Sequence, residues 1–159
     1  MTVHVPLKLP LGACWEITAD AYDSTLVFPA LGALLAGATD MYIEGTNVAD
    51  DVRAIYEAHA SSGPYLPEVQ TIWVLGGTVK QFRCRFDASL LEALSAAAER
   101  HAEPELMGSL FGYRGEQALL EWPKALSGPL WVAPEVPEER VRLFAATLRD
   151  GRFEKLDGG

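Results

Sequence analysis

Gly76 and Gly77 stand between two runs of strand-forming residues, and this pair limits the possible folds more than any other feature of the chain. Val69 to Leu75 is rich in β-branched and aromatic residues, and a second alternating run leads to Phe86. Two glycines supply the positive φ that a type I′ turn needs at both central positions. The hairpin this predicts sets Leu75 against Thr78, Trp73 against Lys80, Thr71 against Phe82 and Val69 against Cys84. Phe82, Cys84 and Phe86 then share an inward face with Val69, Trp73 and Leu75, while Gln81, Arg83 and Arg85 point away.

A helix follows directly. Ser89-Leu90-Leu91-Glu92 fits a capping box, and Leu90, Leu91, Leu94, Ala97, Ala98 and His101 recur at helical spacing. Pro104 ends this helix. A hairpin with a helix across its apolar face is a two-layer nucleus that the remaining elements complete.

On either side of this nucleus the chain reads as short elements. Val3 to Leu11 alternates with polar residues, and its prolines make it an edge strand. Cys14 to Ala19 is the next strand. A short apolar helix over 29–36 has Asp23-Ser24 as cap candidates and Pro29 at its first position. Thr39 to Glu44 is a strand, and Asn47 caps a helix carrying Val48, Val52, Ile55, Tyr56 and His59. Strands at Gly108 to Tyr113, Gln117 to Trp122 and Leu130 to Ala133 precede a last helix through Val141, Phe144, Ala145 and Leu148.

The order ββαβαββαβββα predicts an α+β fold. Its sheet is mostly antiparallel or mixed, its helices pack on one face, and a second small sheet is possible. Residues 1–150 read as one domain and 151–159 as a mobile C-terminal tail.

Composition narrows the function classes. A formal net charge of −9 repels phosphate backbones, which argues against nucleic acid as a partner and for a basic protein. The two cysteines form no C-x-x-C, no signal-like h-region opens the chain, and the apolar run from Leu26 to Ala38 is too short to span a bilayer. The expectation is a soluble, cytoplasmic protein with no membrane partner.

No assembled catalytic motif is present. Cys14 and Cys84 are candidate nucleophiles, with His59 or His101 as base; both thiols fall among apolar neighbours, where a cysteine is inert. His4 falls on the polar side of the first strand. His101-Ala102-Glu103 has the H-A-E order of zinc deaminases, but no P-C-x-x-C follows to complete that zinc site. Asp20 and Asp23, then Asp50 and Asp51, flank helix starts, where a carboxylate favours the helix dipole without a metal. No metal or cofactor is expected.

The aromatic residues point elsewhere. Trp15, Trp73, Trp122 and Trp131 all lie in expected strands, and Trp122 and Trp131, near several prolines, are expected to be partly exposed. With Tyr113 beside a turn and Tyr65 on a stiff loop they make a candidate binding surface. The leading expectation is therefore a non-catalytic protein-interaction domain of accessory, inhibitor or immunity type. The alternatives are an enzyme with a dispersed Cys/His site, a hydrolase or transferase, or a small-molecule sensor with a pocket between helices and sheet.

Overall fold

The computed structural model describes residues 2–4, 7–65, 72–74 and 79–158. The strands are β1 (Thr2–His4), β2 (Cys14–Thr18), β3 (Asp40–Gly45), β4 (Ile72–Val74), β5 (Lys80–Arg85), β6 (Ser109–Arg114), β7 (Gln117–Trp122), β8 (Leu130–Val132) and β9 (Arg152–Leu156). The helices are α1 (Ser24–Leu34), α2 (Asp50–Ala58), α3 (Ala88–Ala98), α4 (Glu103–Leu106) and α5 (Glu138–Ala146), with a 3-10 turn at Leu9–Leu11. Seven strands form one open antiparallel sheet in the order β5-β3-β6-β7-β8-β2-β9, and β1 pairs with β4 in a separate two-stranded sheet. This is an α+β fold. No helix among the described residues is long and apolar enough to cross a membrane.

The helices share one face of the large sheet. Met41 and Ile43 of β3, Cys84 of β5, Leu110 of β6, Trp122 of β7 and Ile17 of β2 join Phe28, Leu31, Leu94 and Phe144 in one core. Phe82 and Phe86 pack against its margin, so the face assignment of the Phe82–Phe86 run holds. The partner of that run does not. β5 pairs with β3, setting Phe82 against Ile43 and Cys84 against Met41, whereas Trp73 of β4 lies opposite Val3. The Gly76-Gly77 turn itself lies outside the described residues.

Several helix starts differ from expectation. Asp87 caps α3 by accepting from the Leu90 N–H at 2.9 Å, two residues ahead of the anticipated Ser89–Glu92 box. Ala49 rather than Asn47 occupies the N-cap of α2, with Asp50 and Asp51 in the first turn as the dipole favours. Pro104 opens α4, where a missing N–H costs nothing. Of the expected long first strand, Thr2–His4 is β1 and Leu9–Leu11 is instead the 3-10 segment.

α1 begins at Ser24 under the Asp23 cap, so Pro29 sits inside the helix and not at its start. Proline has no N–H, and the carbonyl of Thr25 loses its helical donor. Ser95 of α3 replaces it: its hydroxyl donates to the Thr25 oxygen at 2.7 Å. Ser95→Ala is therefore expected to cost about 1–2 kcal/mol by leaving a part-buried acceptor without a donor. Urea unfolding checks this. In a Pro29→Ala background, where the helical N–H is restored, the same substitution should cost measurably less.

The chain end also differs. Arg152–Leu156, expected as a tail, is strand β9, paired along β2 from Cys14↔Leu156 to Thr18↔Arg152. The reason is local: Gly151 fits against the last turn of α5 and turns the chain back to the sheet.

Candidate functional site

The cross-strand register draws one line of side chains over the sheet face opposite the helices. Arg83 of β5 lies beside Tyr42 of β3, which lies beside Phe111 of β6. Phe111 is opposite Glu121 of β7, and Glu121 is opposite Trp131 of β8. Trp131 is in turn opposite Glu16 of β2, and Glu16 is opposite Glu154 of β9. One residue from each of the seven strands thus points to the same side.

The first half of this line is covered. Tyr42, Phe111 and Tyr113 form a second, smaller apolar cluster, joined by Leu7 and Tyr65. The Tyr42 ring meets Tyr65 at 5.1 Å and Tyr113 at 5.2 Å, both edge-on, and the Arg83 guanidinium lies 5.3 Å above it. Arg83 Nε also donates to Asp40 at 3.2 Å, and its Nη1 to the Pro64 carbonyl. Burial raises the Asp40 carboxyl, but hydrogen bonds from Arg83, Thr39 and Ser61 and the Arg83 charge outweigh it and hold the group below its ordinary range. Burial, followed by the Glu44 charge, pushes the Tyr65 phenol well above its usual range, so it stays neutral. Farther along, Glu121 is buried and accepts from the backbone N–H groups of Leu9 at 2.5 Å and Lys8 at 3.2 Å. These bonds bring the 3-10 segment down onto β7 and β8. Burial lifts the Glu121 carboxyl despite them.

The second half is open. Trp131 and Glu16 are half-buried and Glu154 is exposed. The Trp131 indole N–H donates to Glu16 at 3.0 Å, which fixes the ring beside the carboxylate. Leu11, at the end of the 3-10 segment leading into β2, is 67% exposed.

The four expected binding residues therefore separate. Tyr65 and Tyr113 come together around Tyr42, but Tyr113 is only 4% exposed. Trp131 is accessible as expected. Trp122 is not: it is 0% exposed on the helix side, its N–H bound to the Gly128 carbonyl and its ring against Tyr22. Glu121 held the clue, since its charge marked the outward face and strand alternation then turns Trp122 inward. In Leu130-Trp131-Val132 every side chain is apolar, so the same test was silent there. Glu16 and Tyr42 were missed because only pairing between distant strands brings them into line.

The candidate nucleophiles are buried and the candidate bases are engaged. Cys14 and Cys84 are free and fully buried. Burial pushes the Cys84 thiol up to about 12, and burial with the Glu16 and Glu121 charges raises Cys14. Cys84 Sγ lies 3.5 Å from the Tyr56 carbonyl. His59 bonds the Ile55 carbonyl and the Ser89 hydroxyl, which leaves no ring nitrogen for a thiol. Among the described residues no cluster of His, Cys, Asp and Glu is arranged to hold a metal. A surface groove of about 470 Å³ runs between α1 and the start of α3 past Gly32, Phe86 and Leu91, but Asp87 at its rim is already spent on the helix cap.

His101 instead joins elements. It contacts Asp51 at 2.8 Å and Glu105 at 3.6 Å, tying α2 to the start of α4. The Asp51 hydrogen bond raises the imidazole, and His101 with Arg100 lowers Asp51 to about 2. A raised histidine stabilises fully below its unfolded value, near 6.5, and that contribution is lost as pH rises through the higher folded value. The lowered Asp51 contributes above its unfolded value, near 3.8, and loses this as pH falls towards 2. The melting-temperature gap between wild type and His101→Ala is thus expected to be widest between about pH 4 and 6.5 and to shrink on both sides.

Comparison with protein-family models, with curated proteins and with solved structures finds no match to this chain.

Proposed function

We propose that this chain is a non-catalytic protein-interaction domain whose docking surface is the open outer face of β8, β2 and β9 around Trp131. Its partner is a basic, extended segment of another protein. The observation that carries this reading is the line Trp131–Glu16–Glu154, a half-exposed indole flanked by carboxylates on a sheet face that no described element covers. An indole face attracts Lys and Arg cations, and tryptophan anchors are frequent centres of binding energy. The Glu16 bond holds the ring in place before binding, which lowers the ordering cost. The formal charge of −9 steers a basic partner and repels nucleic acid and anionic membrane surfaces. Two buried free thiols suit a reducing, cytoplasmic setting.

Titrating the protein into a fluorescently labelled lysine- and arginine-rich peptide at low ionic strength, with the anisotropy of the peptide label as the readout, tests this. Trp131→Ala is expected to weaken binding about tenfold or more, and added salt to weaken it further. Absence of binding at low salt, or equal affinity of wild type and Trp131→Ala, overturns the reading. The Cys/His enzyme alternative makes the opposite demand: one thiol must react with a thiol reagent in the folded protein as fast as an activated thiolate. Both are expected to stay unlabelled until unfolding, because burial keeps them protonated.

A further inference from the structure

We infer that β9 is a self-association edge, through which two copies of this chain join in antiparallel register centred on Phe153. The two edges of the large sheet are finished differently. On β5, Ser61 N–H donates to the Arg83 carbonyl at 2.8 Å, Arg85 N–H donates to the His59 carbonyl at 2.9 Å, and Ala60 bridges Cys84. The segment after α2 thus takes the outward ladder groups of that strand. β9 pairs with β2 alone, and among the described residues nothing takes its other side. A row of unpaired N–H and C=O groups is a template for another strand.

Symmetry and charge select the occupant. In a two-fold antiparallel pair, opposed residues must point to the same face, so the axis passes through a residue facing its own copy. Centring on Arg152, Glu154 or Lys155 sets a charge against itself, which is unfavourable. Centring on Leu156 runs the overlap off the end of β9. Centring on Phe153 sets Arg152 opposite Glu154 of the second copy, and the symmetric pair repeats it. Phe153 then meets Phe153 on the helix side, where each ring already lies 6.1 Å from Trp15. The side chains are available: the described bonds of Arg152 to Asp20 and Asp150 both use Nη1, and Glu154 is exposed. Trp131 and Glu16 stay open in such a pair while Glu154 is shared with the basic-partner surface, so that reading is tested at Trp131→Ala and this one at the Arg152/Glu154 swap.

Sedimentation equilibrium over a range of protein concentrations tests it. A concentration-dependent dimer is expected, and hydrogen exchange in β9 should slow as the dimer forms. Glu154→Arg or Arg152→Glu alone sets like charges together twice and is expected to weaken the dimer about tenfold or more. The double swap, Arg152→Glu with Glu154→Arg, is expected to restore it. A protein that stays monomeric at its highest soluble concentration overturns the inference. So does a dimer indifferent to Glu154→Arg, or a folded double swap as weak as the single variants.

Discussion

Trp122→Ala is expected to lower stability by about 3–5 kcal/mol, as for other fully buried aromatic residues. The indole is 0% exposed, and both its N–H and the Tyr22 hydroxyl converge on the Gly128 carbonyl, at 2.9 and 2.8 Å. Removing the ring opens a cavity under β7 and strips Tyr22 of its neighbour at 5.2 Å. The loss should appear as a lower urea midpoint with little change in slope. Trp131→Ala, at a half-exposed site, should cost much less. The two tryptophans that look equivalent in the sequence are therefore expected to separate, Trp122 affecting folding and Trp131 affecting binding. A midpoint for Trp122→Ala close to wild type would place this residue outside the core.

Gly151→Ala is expected to be nearly as damaging, at about 3 kcal/mol, the upper part of the range for overpacking. A Cβ there would lie 1.9 Å from the Ala145 oxygen, 2.8 Å from its carbonyl carbon and 3.1 Å from Leu148 Cβ. The first two obstacles are backbone of α5, so no rotamer change relieves them. Either the last turn of α5 or the start of β9 must shift, and amide exchange in 152–156 should accelerate. Gly115 is the control. It has φ +60° but nothing within 4 Å of an added Cβ, so Gly115→Ala is expected to cost only about 1–2 kcal/mol of left-handed strain. If both variants melt together, close approach to α5 is not what holds β9.

Periodicity in the chain was enough to locate most elements and to orient several of them. Phe82, Cys84, Leu90, Leu91 and Leu94 face the core as their spacing requires, because burial of one face is a local consequence of pleat and helix pitch. Asp23 was visible as a helix-start carboxylate for the same local reason. Inert surroundings for both cysteines could also be read from their neighbours.

Tertiary structure alone decided which strands meet. A Gly-Gly turn favours a local hairpin, yet β5 lies against β3, where Met41 and Ile43 extend the layer under α1 and α3. β9 was hidden because an edge strand with exposed Arg152, Glu154 and Lys155 shows no burial pattern. The Ser95–Thr25 hydrogen bond was hidden because its donor comes from another helix. The line from Arg83 to Glu154 exists only through six strand pairings, most of them between segments far apart in the chain. Side-chain spacing records which face a residue takes, whereas strand order is set by how all the faces close over one core.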